Sequence, residues 1–171
     1  MADAAAIPGA GGFADALTDR IAVFVREIGI PVRPTTLTAP TLCPGVHVRR
    51  GVILVDAARL AYPGDLLHEA GHIAVCDPAT RGLTETIGDD PAEEMAAIAW
   101  SYAAACHLGL DPSVVFHEAG YKGGSHALIE AFRRDGAPGT PMLEWFGMSL
   151  GQKAAAAAGA APYPHMLRWL R

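Results

Sequence analysis

Cysteine and positive charge are both scarce in this sequence of 171 residues. The three cysteines are odd in number and scattered, with no Cys-x-x-Cys pair, so they do not make a disulfide framework; they are Cys43, Cys76 and Cys106. We expect reduced thiols, which are typical of a cytoplasmic protein. The formal net charge is −5 and no long basic run is present, which argues against nucleic-acid binding.

Long apolar runs are absent as well. No stretch reaches the roughly 20 apolar residues that cross a bilayer, because Arg, Asp, His or Pro interrupts each one. Residues 1–12 contain an acid and no base, so we expect no secretory signal there. Together these features predict a soluble intracellular protein that does not act at a membrane.

The composition is that of a globular protein. Apolar residues make up 51% and charged residues 18% of the chain, which is too apolar for a disordered protein. The length supports one real core and is short for two. Residues 1–171 are therefore predicted to form a single domain, with residues 1–11 flexible.

The first third of the chain predicts one helix followed by a small sheet. Apolar side chains recur at three- and four-residue steps from Phe13 to Ile28. Residues 30–48 are then rich in Pro, Thr and Val, and Val52–Val55 is a continuous apolar run. These segments predict two or three short strands, the last two joined by a turn near Gly51. We expect Val52–Val55 to be buried on both faces.

Cap residues and prolines predict mostly helix after the sheet. The predicted helices are 66–76 with Asp65 as cap, 91–108 with Asp90 as cap, 111–120 with the cap Asp111 before Pro112, 126–134 with Ser125 as cap, and 140–148 with the cap Thr140 before Pro141. Residues 77–90 are predicted as a polar loop, 153–161 as a poor helix or a linker, and 164–171 as a last amphipathic turn or two. The order indicates an α+β fold in which residues 109–171 form a helical third packed on the core.

One predicted helix carries a His-Glu-x-x-His motif. His68 and His72 are four residues apart, so a helix places both imidazoles on one face, one turn apart. Zinc accepts such nitrogen ligands, and a catalytic site combines three protein ligands with a water. Glu69 lies one step round the helix, where its carboxylate can act on that water without binding the ion. The motif therefore predicts a zinc site with Glu69 as the catalytic residue.

The alternative is two core histidines satisfied by main-chain carbonyls, with Glu69 turned to solvent. Apolar neighbours place this helix in the core; they are Leu66, Leu67, Ile73 and Val75. Unpaired histidines are costly in such surroundings. We therefore favour the metal site.

A third ligand is predicted on the next helix. Glu93 and Glu94 both fall in its first turn. Glu93 stands three residues after the cap Asp90, where a Glu side chain reaches back to the N–H of the cap residue. Glu94 instead begins the stripe that continues through Ile98 and predicts the buried face of the helix. We favour Glu94 as the ligand and keep Glu93 as the alternative.

The pattern resembles a known group of enzymes. A His-Glu-x-x-His motif followed by a Glu on a later helix is the layout of the gluzincin metallopeptidases. The order of elements over residues 13–108 is most similar to the ImmA/IrrE group and related minimal gluzincins, and Glu94, Ala97 and Trp100 echo the Glu helix of that group. The resemblance implies a zincin-like fold, Zn²⁺ as cofactor, and hydrolysis of a peptide or protein substrate with Glu69 as general base.

Two other functions remain open at this point. The chain could be a metal-binding regulatory or interaction protein that keeps a zincin-like core without turnover, because the helical third could cover the cleft or dock a partner. It could also be a globular domain in which the motif is accidental. The sequence gives neither the substrate nor the oligomeric state.

Further residues are candidates for supporting roles. An edge strand near residues 44–49 could align an extended peptide by main-chain pairing. Donors to a developing oxyanion could come from Tyr102, His117, Tyr121 or His126. The alternative for the Gly-rich segment 116–126 is a surface loop with glycine helix caps. Aromatic and Met side chains are predicted in the core rather than around a cofactor; they are Trp100, Trp145, Phe146 and Met148. His47, His107 and His165 have no partner pattern.

Overall fold

The structure is a computed structural model that describes residues 12–83, 90–134 and 137–171. Within these ranges the fold is α+β, as predicted, with a three-stranded sheet and six α-helices. None of the described helices combines the length and the apolar character needed to cross a membrane. Two segments of the predictions lie outside the described residues: the flexible start at 1–11 and positions 84–89 of the polar loop.

The first helix, α1 (Ala16–Glu27), forms where the apolar repeat predicts it. The Asp15 side chain accepts a hydrogen bond from the Thr18 amide at 2.7 Å, which satisfies one free N–H of the first turn. Ile21, Phe24 and Val25 are buried on the opposite side of the helix from its charged residues. This amphipathic face covers one side of the core.

The sheet contains β1 (Val32–Pro34), β2 (Val46–Arg49) and β3 (Val52–Val55) in the order β1-β3-β2. β3 is parallel to β1 and antiparallel to β2. The tight turn between β2 and β3 places Arg50 at φ 50° and Gly51 at φ 70°, and two left-handed residues in succession give a turn whose twist matches that of a hairpin. The predicted turn near Gly51 is confirmed.

The prediction that β3 is buried on both faces is wrong. Ile53 and Val55 are fully buried, whereas Val52 and Leu54 are only half-buried. In β2, Val46 and Val48 are buried while His47 and Arg49 are exposed. The helices pack on one face of this small sheet, so a continuous apolar run still alternates in burial.

Helices α2 (Asp65–Val75) and α3 (Pro91–His107) form the centre of the core. Asp90 caps α3 as predicted, because its carboxylate accepts from the Ala92 amide at 2.9 Å. A Cβ atom added to Gly71 of α2 would lie 2.8 Å from the Ala97 carbonyl oxygen of α3. The missing side chain therefore permits the close approach of the two helices.

Three residues that were predicted as helix caps lie inside their helices instead. Asp65, Ser125 and Thr140 are the first residues of their helices, and a glycine stands before each. The Ser125 hydroxyl donates to the His117 carbonyl at 2.7 Å, and the Thr140 hydroxyl donates to the Ala137 carbonyl at 2.8 Å. The Ser125 and Thr140 side chains thus bind the preceding loop rather than the helix amides.

The last third is less helical than predicted. It contains α4 (Ser125–Phe132), α5 (Thr140–Trp145) and α6 (Gln152–Ala158), so 153–161 is mainly a helix rather than a linker. The helix expected over 111–120 is only a 3₁₀ turn at Pro112–Val114, because the chain then bends to bring His117 against α2. The prediction of final helical turns at 164–171 is wrong, because this segment contains no helix.

The C-terminal segment 164–171 packs as an irregular arm instead of a helix. Ser149 and Met166 form an isolated antiparallel bridge, and the Trp169 carbonyl accepts from the Trp100 indole at 3.0 Å. Trp100 and Met148 are fully buried and Phe146 is half-buried, in agreement with the predicted core. Trp145 is 86% exposed, so its prediction as a core residue is wrong.

Replacing Gly71 with Ala tests the importance of the close approach of α2 and α3. We expect Gly71→Ala to lower the free energy of unfolding by about 1–3 kcal/mol, because the new methyl group must push a backbone carbonyl aside. Gly82→Ala is the matched control, since no atom lies within 4 Å of the added Cβ. Its effect should stay within about 0.5 kcal/mol. Equal effects of the two changes in denaturant unfolding would contradict this account.

Candidate metal centre

The two histidines of the motif point at each other from one face of α2. Their Nε2 atoms are 3.2 Å apart, and the two rings are nearly perpendicular, at 86°. Two nitrogens bound tetrahedrally to one zinc ion at ~2.0–2.1 Å are themselves about 3.4 Å apart. The His68–His72 geometry therefore fits two ligands of one ion.

Glu94 completes the cluster from the first turn of α3. Its Oε2 lies 3.0 Å from His72 Nε2, and its Oε1 lies 3.7 Å from His68 Nε2. Ligand atoms of these three residues all lie within 4.8 Å of one another. Glu93 approaches the other ring nitrogen of His72, with 3.8 Å between its Oε1 and Nδ1. The geometry thus brings Glu94, and not Glu93, to the point shared by both Nε2 atoms.

The surroundings keep these ligand atoms available to a cation. Burial, followed by the nearby His72, holds the pKa of His68 well below its usual value, so the imidazole is neutral near pH 7. The hydrogen bond from His72 lowers the pKa of Glu94, which keeps that carboxylate ionised. Two imidazoles with one carboxylate are a donor set that catalytic zinc sites use. The residues present therefore fit the ion.

The polar contacts of the two rings disfavour the interpretation of them as ordinary core histidines. Within the described ranges, the ring nitrogens of His68 and His72 contact each other, Glu94 and Tyr121. The Nδ1 atom of His72 also faces Glu93 Oε1, at 3.8 Å. The Nδ1 atom of His72 is buried and has no hydrogen-bond partner among the described residues. A core histidine held by carbonyls would satisfy this atom first.

Glu69 is buried beside the cluster rather than turned to solvent. Only 6% of the residue is exposed, and the Cys43 thiol donates to its Oε1 at 3.2 Å. Burial raises the pKa of Glu69 to about 6. Burial and the adjacent Glu69 charge also raise the pKa of Cys43, so the thiol keeps its proton. Glu69 is therefore a carboxylate with unusually high proton affinity next to three potential metal ligands.

A groove of about 500 Å³ opens beside Glu69, between β2 and the segment 37–43. The Arg59 guanidinium holds this segment by donating to the carbonyls of Leu37 and Ala39 at 2.8 and 2.9 Å. The lining is mainly apolar and includes Leu37, Pro40, Leu42, Val46 and Val48. The groove therefore leads from an outer strand of the sheet to Glu69.

The four predicted oxyanion donors have different positions. Tyr121 places its hydroxyl 3.3 Å from His68 Nδ1. His117 binds the Asp65 carboxylate, with 2.9 Å between Nε2 and Oδ1. Tyr102 instead stacks on Phe132 in the core, with 4.6 Å between ring centroids, and His126 is exposed on α4. The segment 116–126 thus lies against α2 and is more than a surface loop.

Sequence reasoning missed two neighbours of the cluster. Cys43 is 26 residues before Glu69 in the chain, and no periodic signal connects the two. Asp65 was interpreted as a cap, yet its spacing of three and four residues from His68 and Glu69 places it on the same helix face. That spacing is the sequence feature that could have placed Asp65 near the site.

No protein-family model, no curated protein and no solved structure matches this chain. The resemblance to the gluzincins therefore depends on the motif residues and the order of elements in this chain alone.

Exchanging each glutamate of the first turn of α3 tests the assignment of the third ligand. We expect Glu94→Gln to weaken zinc binding by more than about 100-fold, because a lost ligand exceeds the 10–100-fold cost of a lost outer-shell contact. Glu93→Gln should weaken it by about 10-fold or less. Competition with a chromophoric chelator measures both constants. The reverse order of the two effects would assign the ligand to Glu93.

Proposed function

We propose that this chain is a zinc-dependent hydrolase of peptide bonds with a zincin-like fold. The observation that carries the proposal is the convergence of His68 Nε2, His72 Nε2 and a Glu94 carboxylate oxygen within 4.8 Å. The order of helix, small sheet, metal helix and glutamate helix supports the zincin-like assignment. Because the three cysteines are free thiols, we propose the cytoplasm as its compartment.

Glu69 supplies the proton transfer. A bound zinc ion would provide Lewis acidity and lower the pKa of a coordinated water towards ~7. The carboxylate of Glu69 can take the proton of an attacking water, since its own pKa of about 6 is close to neutral. The same group then holds this proton and delivers it to the departing amine.

The substrate that fits best is an extended peptide. β2 is an outer strand of the described sheet and borders the groove that reaches Glu69. A peptide that pairs with the main chain of β2 would be aligned by hydrogen bonds, and its side chains would enter the mainly apolar groove. Peptide or protein chains are therefore the substrate class of the proposal.

A second function is favoured by one contact. The Cys43 thiol occupies Oε1 of Glu69 at 3.2 Å, so one oxygen of the proposed base is already engaged. In this alternative the chain binds zinc but acts as a regulatory or interaction protein without turnover. The two functions share the metal cluster and differ in whether Glu69 performs chemistry.

Replacing Glu69 with Gln separates the two functions. We expect Glu69→Gln to lower peptide hydrolysis by at least about 100-fold, because the general base is lost, while zinc content stays at that of the unmodified protein. Cleavage of a peptide mixture, followed by mass spectrometry, measures the activity. Glu118→Gln is the matched control, since Glu118 follows His117 in the chain as Glu69 follows His68 but is exposed.

Two results would contradict the proposed peptidase function. One is a zinc-loaded protein that cleaves no peptide in the mixture, which would favour the regulatory function. The other is hydrolysis that survives Glu69→Gln at full rate.

A further inference from the structure

The segment 117–125 crosses α2 and contacts it at two points. His117 binds Asp65 in the first turn of α2, and Tyr121 reaches His68 one turn later. The Ser125 hydroxyl closes the segment by donating to the His117 carbonyl at 2.7 Å. The chain therefore holds Tyr121 in place through contacts on both sides of it.

The backbone at Tyr121 is unusual. Tyr121 and Lys122 both have a φ of 52°, although neither is a glycine. Side chains with a Cβ rarely adopt this left-handed region, and such residues persist where the surroundings determine them. The Tyr121 ring also packs against Phe116, with 5.1 Å between centroids. The local conformation thus aims the hydroxyl of a half-buried side chain at one ring nitrogen.

That nitrogen is the one that does not face the ligand cluster. His68 directs Nε2 towards His72 and Glu94, which leaves Nδ1 facing the Tyr121 oxygen at 3.3 Å. A neutral imidazole whose Nε2 binds a metal carries its proton on Nδ1, and this N–H needs an acceptor when it is buried. A hydroxyl oxygen accepts such a bond.

We propose that Tyr121 is a positioning residue for His68. Its hydroxyl accepts the Nδ1–H of His68, which fixes the tautomer and the ring orientation in which Nε2 can bind zinc. A tyrosine hydroxyl is uncharged near pH 7, so its oxygen can accept this bond. This inference rests on the proposed zinc site and gives Tyr121 a role other than that of an oxyanion donor.

The test compares two variants, each of which removes the hydroxyl of one half-buried tyrosine. Tyr121→Phe keeps the ring that packs on Phe116 and removes the acceptor. Tyr163→Phe is the matched control, because the Tyr163 hydroxyl donates to the Ala99 carbonyl at 2.8 Å, and its ring packs on Phe132 rather than on His68. Zinc affinity is measured by chelator competition, and thermal unfolding is measured on the metal-free proteins.

We expect Tyr121→Phe to weaken zinc binding about 10- to 100-fold, the range found for outer-shell partners of metal ligands. Tyr163→Phe should leave zinc affinity within about twofold, even if it lowers the unfolding temperature. Equal zinc affinity of Tyr121→Phe and the unmodified protein would overturn the role of Tyr121 and leave the zinc site intact. Failure of the unmodified protein to bind zinc would overturn the site itself.

A measurement without substitution covers the case in which Tyr121→Phe does not fold. Nitrogen-15 NMR of the unmodified zinc-loaded protein distinguishes the two ring nitrogens of His68. We expect the metal on Nε2 and a slowly exchanging proton on Nδ1. A metal on Nδ1, or an Nδ1 proton that exchanges as fast as one exposed to solvent, would overturn the inference.

Discussion

The close approach of α2 and α3 is the constraint on which the site depends. His68 and His72 belong to one helix and Glu94 to the other, so their shared point exists only if the two helices pack at short distance. Gly71 makes this possible, because any side chain there would meet the Ala97 carbonyl. Small residues on α3 have the same effect; they are Ala96, Ala97, Ala99, Ala103 and Ala104. The packing of α2 against α3 therefore determines the geometry of the proposed metal ligands.

Burial then determines the chemistry of the groups that packing brings together. His68 loses its affinity for protons while Glu69 gains it, and both effects arise mainly from removal from water. A neutral imidazole can bind a cation through its lone pair, and a more basic carboxylate can remove a proton from water. Two adjacent residues on one helix thus acquire complementary properties from the same cause.

Much of this arrangement could be predicted from local patterns. The step of four residues between His68 and His72 gives their shared face, and Asp90 with Pro91 marks the start of the helix that carries Glu94. The choice of Glu94 over Glu93 also agrees with the geometry. These features depend on helical periodicity and capping, which act within a few residues.

The rest could not be predicted because it depends on contacts between distant residues. Tyr121 reaches His68 across 53 positions, and Cys43 meets Glu69 across 26. Such pairs leave no periodic trace in a single sequence. The C-terminal arm was predicted as a last amphipathic turn or two, yet the Trp169 carbonyl accepts a hydrogen bond from the Trp100 indole and the arm stays irregular. Tertiary packing overrode local propensity there.

The most direct test of the proposed metal centre is a crystal structure of zinc-soaked protein measured at the zinc absorption edge. We expect one anomalous peak, at about 2.0–2.2 Å from the Nε2 atoms of His68 and His72 and from a carboxylate oxygen of Glu94. A peak located elsewhere, or two imidazoles that remain in contact with no zinc between them and Glu94, would contradict it.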